Sequence, residues 1–199
     1  MGFSGFSSAG KLKLGVHLLL IVLDIAALAF AARVNVFQEY YFMADLFPLG
    51  LAAATLAILV FTTGLDLLLE SVPTARPAVE VGILYVLSIF WLAFNAFSTS
   101  RWHNVPLNCS VIPDDYADMR GWCVDVQALK AFVWILFVGL FLTATFTLRY
   151  AISEHRQGRT HVWSGSLSRY EARDTAGNDG FRQTGTDYFA RGHSAFEKF

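Results

Sequence analysis

Four long apolar blocks dominate the pattern of hydrophobic and polar positions along the chain. They cover about 14–33, 47–69, 78–97 and 126–148. Each is close to the roughly 20 residues that a helix needs to cross the hydrocarbon core of a bilayer. Because hydrocarbon offers no partner to an open backbone group, such segments must be helical. The pattern therefore predicts an all-α membrane protein in which residues 1–152 form a four-transmembrane-helix antiparallel bundle.

The segment 153–199 differs in character, with charges of alternating sign, recurring glycines and no apolar stripe. Such sequence buries too little apolar surface to offset the entropy of ordering, so it predicts a mostly disordered C-terminal tail. The tetrapeptide that begins at Tyr170 is echoed by the one that begins at Tyr188. These two tyrosines are candidate docking points for cytosolic partners, and a chance echo is the alternative.

Composition agrees with a membrane protein and narrows the function classes. Hydrophobic residues make up 55% of the chain and charged residues 16%, whereas a soluble domain carries about 25% charged residues. A net charge of −1 leaves no basic footprint for nucleic acid. The chain has two cysteines, too few for a four-cysteine zinc site. We therefore expect no nucleic acid partner, metal or cofactor.

Basic residues near the ends of the four blocks predict the orientation in the membrane. The membrane face on which both termini lie carries more of these basic residues than the opposite face. This face holds Lys11, Lys13, Arg76, Arg149, Arg156 and Arg159, and the other holds Arg33, Arg101 and Arg120. The richer face is expected to be cytoplasmic. We expect a multi-pass protein with cytoplasmic termini in the plasma membrane, with endomembranes or vesicles as the alternative.

The predicted outer loop 98–125 contains both cysteines, Cys109 and Cys123. An extracytoplasmic loop lies in an oxidising compartment, which favours a structural disulfide. The alternative is a redox-active pair, which usually has the Cys-x-x-Cys spacing that this loop lacks. Asn108 begins an Asn-Cys-Ser match to the glycosylation sequon. The match is weak because a disulfide at its middle position competes with modification.

Asp24 is the most deeply placed ionisable residue, about 13 Å from the outer end of its helix at 1.5 Å per residue. An ionisable residue inside a span is a functional-site hypothesis by default. Thr55 and Ser88 fall at a similar depth, so they are candidate hydrogen-bond partners that would make Asp24 structural. His17 lies seven residues earlier on nearly the same helical face. The alternative is therefore a proton relay through His17 and Asp24.

Two further patterns predict packing rather than chemistry. Asp66 and Glu80 lie near block ends, where such side chains can extend to the interface. Small residues four apart, as at Ala27 and Ala31 or at Gly50 and Ala54, are typical of close helix packing.

The layout resembles the MARVEL-domain family, in particular its small fungal members. The resemblance covers about 11–150 and includes the paired-cysteine outer loop, the run from Ala128 to Trp134 that enters the fourth helix, and the run from Phe90 to Phe94 in the third. It implies a role in membrane apposition, vesicle trafficking or organisation of lipid-rich membrane domains. It supplies no catalytic residues.

The sequence thus favours a non-enzymatic membrane organiser whose partners are membrane lipids, other membrane proteins or further copies of itself, and cytosolic proteins bound by the tail. No nucleotide-binding, metalloprotease or serine-hydrolase motif is present. The first alternative is a small transporter or channel subunit with Asp24 and His17 in the permeation path. The second is a receptor or adhesion protein that uses the disulfide loop.

Overall fold

A computed structural model describes residues 8–40, 43–68, 76–102, 108–158 and 160–163. Most of these residues form four α-helices, which are α1 (Ser8–Phe37), α2 (Met43–Leu68), α3 (Pro77–Trp102) and α4 (Ala117–Arg156). Short 3-10 helices cover Cys109–Val111, Asp114–Tyr116 and Thr160–Trp163. All four α-helices are long and apolar enough to cross a membrane. The predicted fold class, an all-α four-helix membrane protein, is confirmed.

The four helices form a closed ring in which each packs on its neighbours in the chain and α4 also packs on α1. The contact of α3 with α4 is the most extensive, and that of α2 with α3 is the smallest. The end of the bundle that holds Ser8, Leu68, Pro77 and Arg156 is here named the terminal face. The opposite end, which holds Cys109 and Cys123, is named the disulfide face.

The core of the bundle combines small, branched and polar side chains around one large aromatic residue. Trp91 is fully buried and is the largest side chain in the core. It packs among buried leucines, valines and alanines of all four helices, including Leu20, Leu59, Leu84 and Leu136. The core also holds buried polar residues, among them Asp24, Thr55, Ser88 and Asn95.

Each helix extends beyond the apolar block that predicted it at both ends, except that α2 ends at Leu68, one residue before the end of its block. The difference is largest for α4, which begins at Ala117 and ends at Arg156 rather than covering 126–148. Hydropathy detects only the part of a helix inside hydrocarbon, whereas the helical backbone continues into the polar interface. The predicted outer loop 98–125 is correspondingly too long, because α3 continues to Trp102.

The folded part of the chain also continues past the predicted boundary at residue 152. Gly158 adopts a left-handed conformation with φ of 83°, and its N–H donates to the His155 carbonyl at 3.0 Å. After this turn Val162 packs, fully buried, against Ala151. The bundle therefore includes residues up to Trp163. The remainder of the predicted tail, with Tyr170 and Tyr188, lies outside the described residues.

Candidate functional site

Four ionisable side chains from three helices meet at the terminal face, and we name them the ion cluster. They are Lys13 and His17 of α1, Asp66 of α2 and Glu80 of α3. Lys13 Nζ lies 2.7 Å from Glu80 Oε2 and 3.2 Å from Asp66 Oδ2. His17 Nε2 lies 3.4 Å from Glu80 Oε1. One lysine thus bridges two acidic residues on different helices, and the histidine contacts one of them.

The ion cluster is buried, since none of its side chains is more than 13% exposed. It borders a cavity of about 30 Å³, whose wall also contains the hydroxyls of Thr62 and Thr63. That volume accommodates one or two water molecules, each of which needs roughly 10–15 Å³ by this measure. A cavity of this volume is too small to enclose an organic solute.

The two ring nitrogens of His17 have different neighbours: Nδ1 is hydrogen-bonded to the backbone of α1, and Nε2 lies beside Glu80. Nδ1 lies 3.0 Å from the Lys13 carbonyl oxygen. Because a carbonyl oxygen only accepts, Nδ1 carries a proton and donates it. The remaining nitrogen, Nε2, faces Glu80. The ion cluster thus places one lysine and one histidine of α1 against two carboxyl groups of α2 and α3.

Asp24 lies deeper in the bundle and is fully buried. Neither of its carboxyl oxygens has a hydrogen-bond partner among the described residues. The predicted partners are engaged elsewhere: Thr55 Oγ1 accepts from Trp91 Nε1 at 3.1 Å, and Ser88 Oγ donates to the Tyr85 carbonyl at 2.8 Å. The expected bonds of Asp24 to Thr55 and Ser88 are therefore not formed.

The predicted relay between His17 and Asp24 is not connected. Both residues face the interior, but seven residues of helix separate them by about 10 Å along the axis. Because the Asp24 oxygens lack hydrogen bonds within the described part of the chain, no direct bond joins Asp24 to the ion cluster. Asn95 is a further fully buried polar residue whose side-chain atoms lack such partners there. The polar interior thus consists of separate groups.

The disulfide face is closed by covalent and ionic links. The sulfur atoms of Cys109 and Cys123 are bonded at 2.01 Å, so the predicted disulfide is confirmed. The Asn108 side-chain oxygen accepts from Ser110 Oγ at 2.7 Å, and glycosylation of Asn108 stays a prediction. Arg33 of α1 also pairs with Asp125 of α4 at 3.1 Å, although the arginine side chain is 67% exposed.

The small residues expected to mark helix packing divide into two groups. Ala27 and Ala31 are buried in the core, as predicted. Gly50 and Ala54 of α2 are exposed on the outside of the bundle. Within the bundle, Ala52, Thr55 and Leu59 occupy the inward face of α2 instead, so close packing at Gly50 and Ala54 stays a prediction.

Of the four members of the ion cluster, the sequence singled out only His17 as a candidate functional residue. It did not indicate that Lys13, Asp66 and Glu80 lie beside it. Asp66 and Glu80 were expected to extend to the interface, but both turn inward towards Lys13. A single chain does not show which faces of two helices meet, so it does not show that these charges are opposite one another. One local signal was present: Lys13 and His17 are four residues apart, which places them on one face of α1.

The search for metal-ligand groups and the comparisons with known proteins do not assign a function to the chain. In the described parts of the chain, no group of three or more histidine, cysteine, aspartate or glutamate residues is arranged to hold a metal ion. Comparison with protein-family models, curated proteins and solved structures finds no match to the chain. The four apolar helices fit an integral membrane protein, and membership of the MARVEL-domain family stays a prediction.

Proposed function

We propose that this chain is a non-enzymatic organiser of membrane domains that acts through its lipid-facing surface, and that it supports vesicle trafficking or membrane apposition. The observation that carries this proposal is the contrast between an extensive apolar exterior and an interior filled by side chains. The working surface is then the outside of the bundle, where lipids and other membrane proteins make contact.

The exterior of every helix carries large apolar side chains. Representative exposed residues are Leu12, Val22, Val60, Phe61, Ile89, Phe90, Ile135 and Phe146. A contiguous apolar surface of this extent marks contact with lipid or with another protein. Aromatic residues shape part of it, as where Phe47 of α2 stacks on Phe94 of α3 with ring centres 4.7 Å apart. On this proposal, the uneven shape of the aromatic surface makes some neighbouring lipids pack on it better than others.

Large side chains occupy the interior where a solute path would have to run. Trp91 is fully buried at the centre and donates to Thr55 across the α2–α3 contact. The cavity that borders the ion cluster among the described residues has a volume of about 30 Å³. These features favour a structural interior over a catalytic or permeation site.

The resemblance to the MARVEL-domain family points to the same kind of role. On this proposal both termini are cytoplasmic, the plasma membrane is the principal location, and the tail beyond Trp163 recruits cytosolic partners. The bundle contributes contacts with lipids, with other membrane proteins or with further copies of the chain.

The proposal is tested by reconstitution of the full-length chain into giant vesicles that separate into ordered and disordered lipid phases. A fluorescent label on the protein and a second label on one phase are imaged together. The proposal expects enrichment in one phase, or clusters at the phase boundary, at protein densities at which a single-helix control peptide stays uniform. Uniform distribution of both would contradict it.

The ion cluster favours a second candidate function, a small proton-coupled transporter or channel subunit. It contains the buried contact of His17 with Glu80, and Asp24 lies deeper along the same helix as His17. Buried ionisable groups in a span are typical of proton pathways. A connected path would require water or a side-chain movement between His17 and Asp24.

Liposomes that contain a pH-sensitive dye distinguish the two candidates. If the chain moves protons, flux exceeds that of empty liposomes and Asp24→Asn abolishes it. Asp115→Asn, at an exposed position of the disulfide face, is the matched control and keeps the flux. Flux no greater than that of empty liposomes would exclude the transporter and leave the organiser.

A further inference from the structure

A groove runs along the lipid-facing contact between α1 and α4, and we name it the α1/α4 groove. It consists of two depressions of about 680 Å³ and 440 Å³. Both are lined by Val16, Gly139 and Thr143, so they form one continuous feature. The larger depression extends to Arg149 at the terminal face, and the smaller extends to Trp134. Each lies within the usual size range of small-molecule sites, about 300–1,000 Å³.

The sizes of the side chains on α4 produce this shape. Gly139, Thr143 and Thr147 are four residues apart and therefore share one helix face, where they form a shallow floor. Leu142 and Phe146 form a wall beside them and remain 44% and 65% exposed. A Cβ atom added at Gly139 would lie 2.9 Å from Leu20 Cδ2, so α1 packs directly on the backbone of α4 there.

The floor of the groove is apolar although it contains hydroxyl groups. Thr143 Oγ1 donates to the Gly139 carbonyl at 2.7 Å. This bond satisfies the hydroxyl within the helix, which leaves the Thr143 methyl group available for contact. Leu12 and Val16 of α1 contribute apolar side chains to the lining, and Lys13 borders it near the terminal face. The groove therefore suits a hydrocarbon chain better than a polar ligand.

The depth of the groove in the membrane matches one leaflet. Arg149 directly follows the apolar block 126–148 and is exposed, which places it at the edge of the hydrocarbon. The ten residues from Arg149 back to Gly139 span about 15 Å of helix. That is half of the ~30 Å hydrocarbon core. A chain anchored beside Arg149 would thus reach the middle of the bilayer at Gly139.

We propose that the α1/α4 groove binds one anionic glycerophospholipid from the leaflet at the terminal face. One acyl chain lies along Val16, Thr143 and Phe146, and the headgroup phosphate contacts Arg149. Basic residues at the ends of membrane helices are a recognised basis for binding anionic headgroups. The inference rests on the proposed function, to which it adds the lipid class and the position of the contact.

Native mass spectrometry of the full-length chain tests this inference directly. The delipidated protein in detergent is titrated with phosphatidylglycerol or with phosphatidylcholine that has the same acyl chains. One phosphatidylglycerol molecule should bind with about fivefold higher affinity, the ratio that ~1 kcal/mol for one basic residue gives. Equal affinity for the two lipids would overturn the assignment of an anionic headgroup.

Two variants with matched controls locate the site. Val16→Trp fills the groove and should abolish binding of the single lipid, whereas Leu18→Trp, at a 51% exposed position outside the groove lining, should keep it. Arg149→Gln should bind both lipids equally, whereas Arg156→Gln, further along α4, should keep the preference. Identical binding by Val16→Trp and Leu18→Trp would overturn the location.

A measurement on the unaltered chain covers the case in which Val16→Trp does not fold. Phosphatidylglycerol with a photoreactive diazirine in its acyl chain should label the peptides that contain 12–20 and 139–147. Labelling confined to α2 or α3 would overturn the inference. So would protection of these peptides by a bound second copy or by a sterol that excludes the phospholipid.

Failure of this site is distinguishable from failure of the proposed function. If Val16→Trp loses the lipid but segregates in giant vesicles as before, the lipid site stands and plays no part in segregation. If the unaltered chain binds the lipid but never segregates, the organiser role fails and the site stands. If it segregates without retaining a lipid, only the lipid site fails.

Discussion

Lys13 of α1 and Glu80 of α3 form an ion pair of 2.7 Å in which the two side chains are only 11% and 8% exposed. The same lysine reaches Asp66 of α2, so one cation connects three helices at the terminal face. Removal of one partner from a buried pair leaves an uncompensated charge, and this is far more destabilising than loss of a surface pair. The ion cluster should therefore contribute substantially to the stability of the helix contacts at the terminal face.

Lys13→Met should lower the free energy of unfolding by about 3–5 kcal/mol, because it leaves Asp66 and Glu80 buried without their cation. The measurement is reversible denaturant unfolding in micelles, followed by circular dichroism. Arg33→Met is the control: its partner is Asp125, but the arginine is 67% exposed, so the loss should stay below about 1 kcal/mol. Equal losses for the two variants would contradict the importance assigned to the ion cluster.

The disulfide between Cys109 and Cys123 should stabilise the bundle without being needed for membrane insertion. Substitution of both cysteines by serine should remove about 3 kcal/mol, the value expected for a closed loop of this size. Thermal unfolding with and without a reductant measures the effect in the original chain. A reductant should leave the melting temperature of the double variant unchanged. No shift on reduction of the original chain would show that the disulfide constrains little.

The hydrogen bond from Trp91 to Thr55 should be a measurable contact between α2 and α3, which share the smallest helix contact. Thr55→Val preserves the shape but leaves the buried indole N–H unpaired, which costs about 1–3 kcal/mol. Thr145→Val is the comparison, because its bond to Tyr85 is only partly buried and its loss should matter less. A Thr55→Val protein as stable as the original would show that Trp91 finds another acceptor.

Asp24→Asn should leave stability unchanged or raise it slightly, because the structure gives Asp24 no hydrogen bond to lose. The substitution preserves the size of the side chain and removes its capacity to ionise, so the change should stay within about 1 kcal/mol of zero. Denaturant unfolding of the two proteins is the measurement. A loss of several kcal/mol would reveal a charged Asp24 with a partner, and would strengthen the transporter candidate.

Removal of 164–199 should leave the bundle intact but change its partners or distribution in cells. The cut falls after Trp163 because Val162 packs, fully buried, on Ala151, so a cut at residue 152 would also disrupt the bundle. Tyr170→Ala with Tyr188→Ala in the full chain tests the two docking tyrosines separately. Co-purified proteins and cellular distribution are compared with the full-length chain. An unchanged set of partners and an unchanged distribution would exclude the tail as a recruiting segment.

The sequence predicted those features that depend on the chain's own composition. Apolar blocks of membrane-spanning length located all four helices, and the two cysteines of one loop are bonded as expected. The ends of the helices were less accurate, as α4 shows by extending to Arg156. Polar residues at an interface remain helical without any apolar pattern, so the hydropathy signal ends before the helix does.

The candidate site was only partly predictable because it depends on how the helices are rotated against one another. His17 and Asp24 were recognised from their depth, and both are buried. That Glu80 faces Lys13 follows from the rotation of α1 and α3, which one sequence does not specify. The same reason explains why Thr55 bonds Trp91 instead of Asp24.

Live imaging of the full-length chain, with a fluorescent protein at its carboxyl end and in its own cells, tests the central claim most directly. The quantity to measure is the lateral distribution of the protein together with its recovery after photobleaching. A membrane organiser should form stable cortical patches with slow recovery, or moving puncta on secretory or endocytic organelles if trafficking dominates. A uniform membrane signal that recovers as fast as a freely diffusing single-span control would contradict the organiser role.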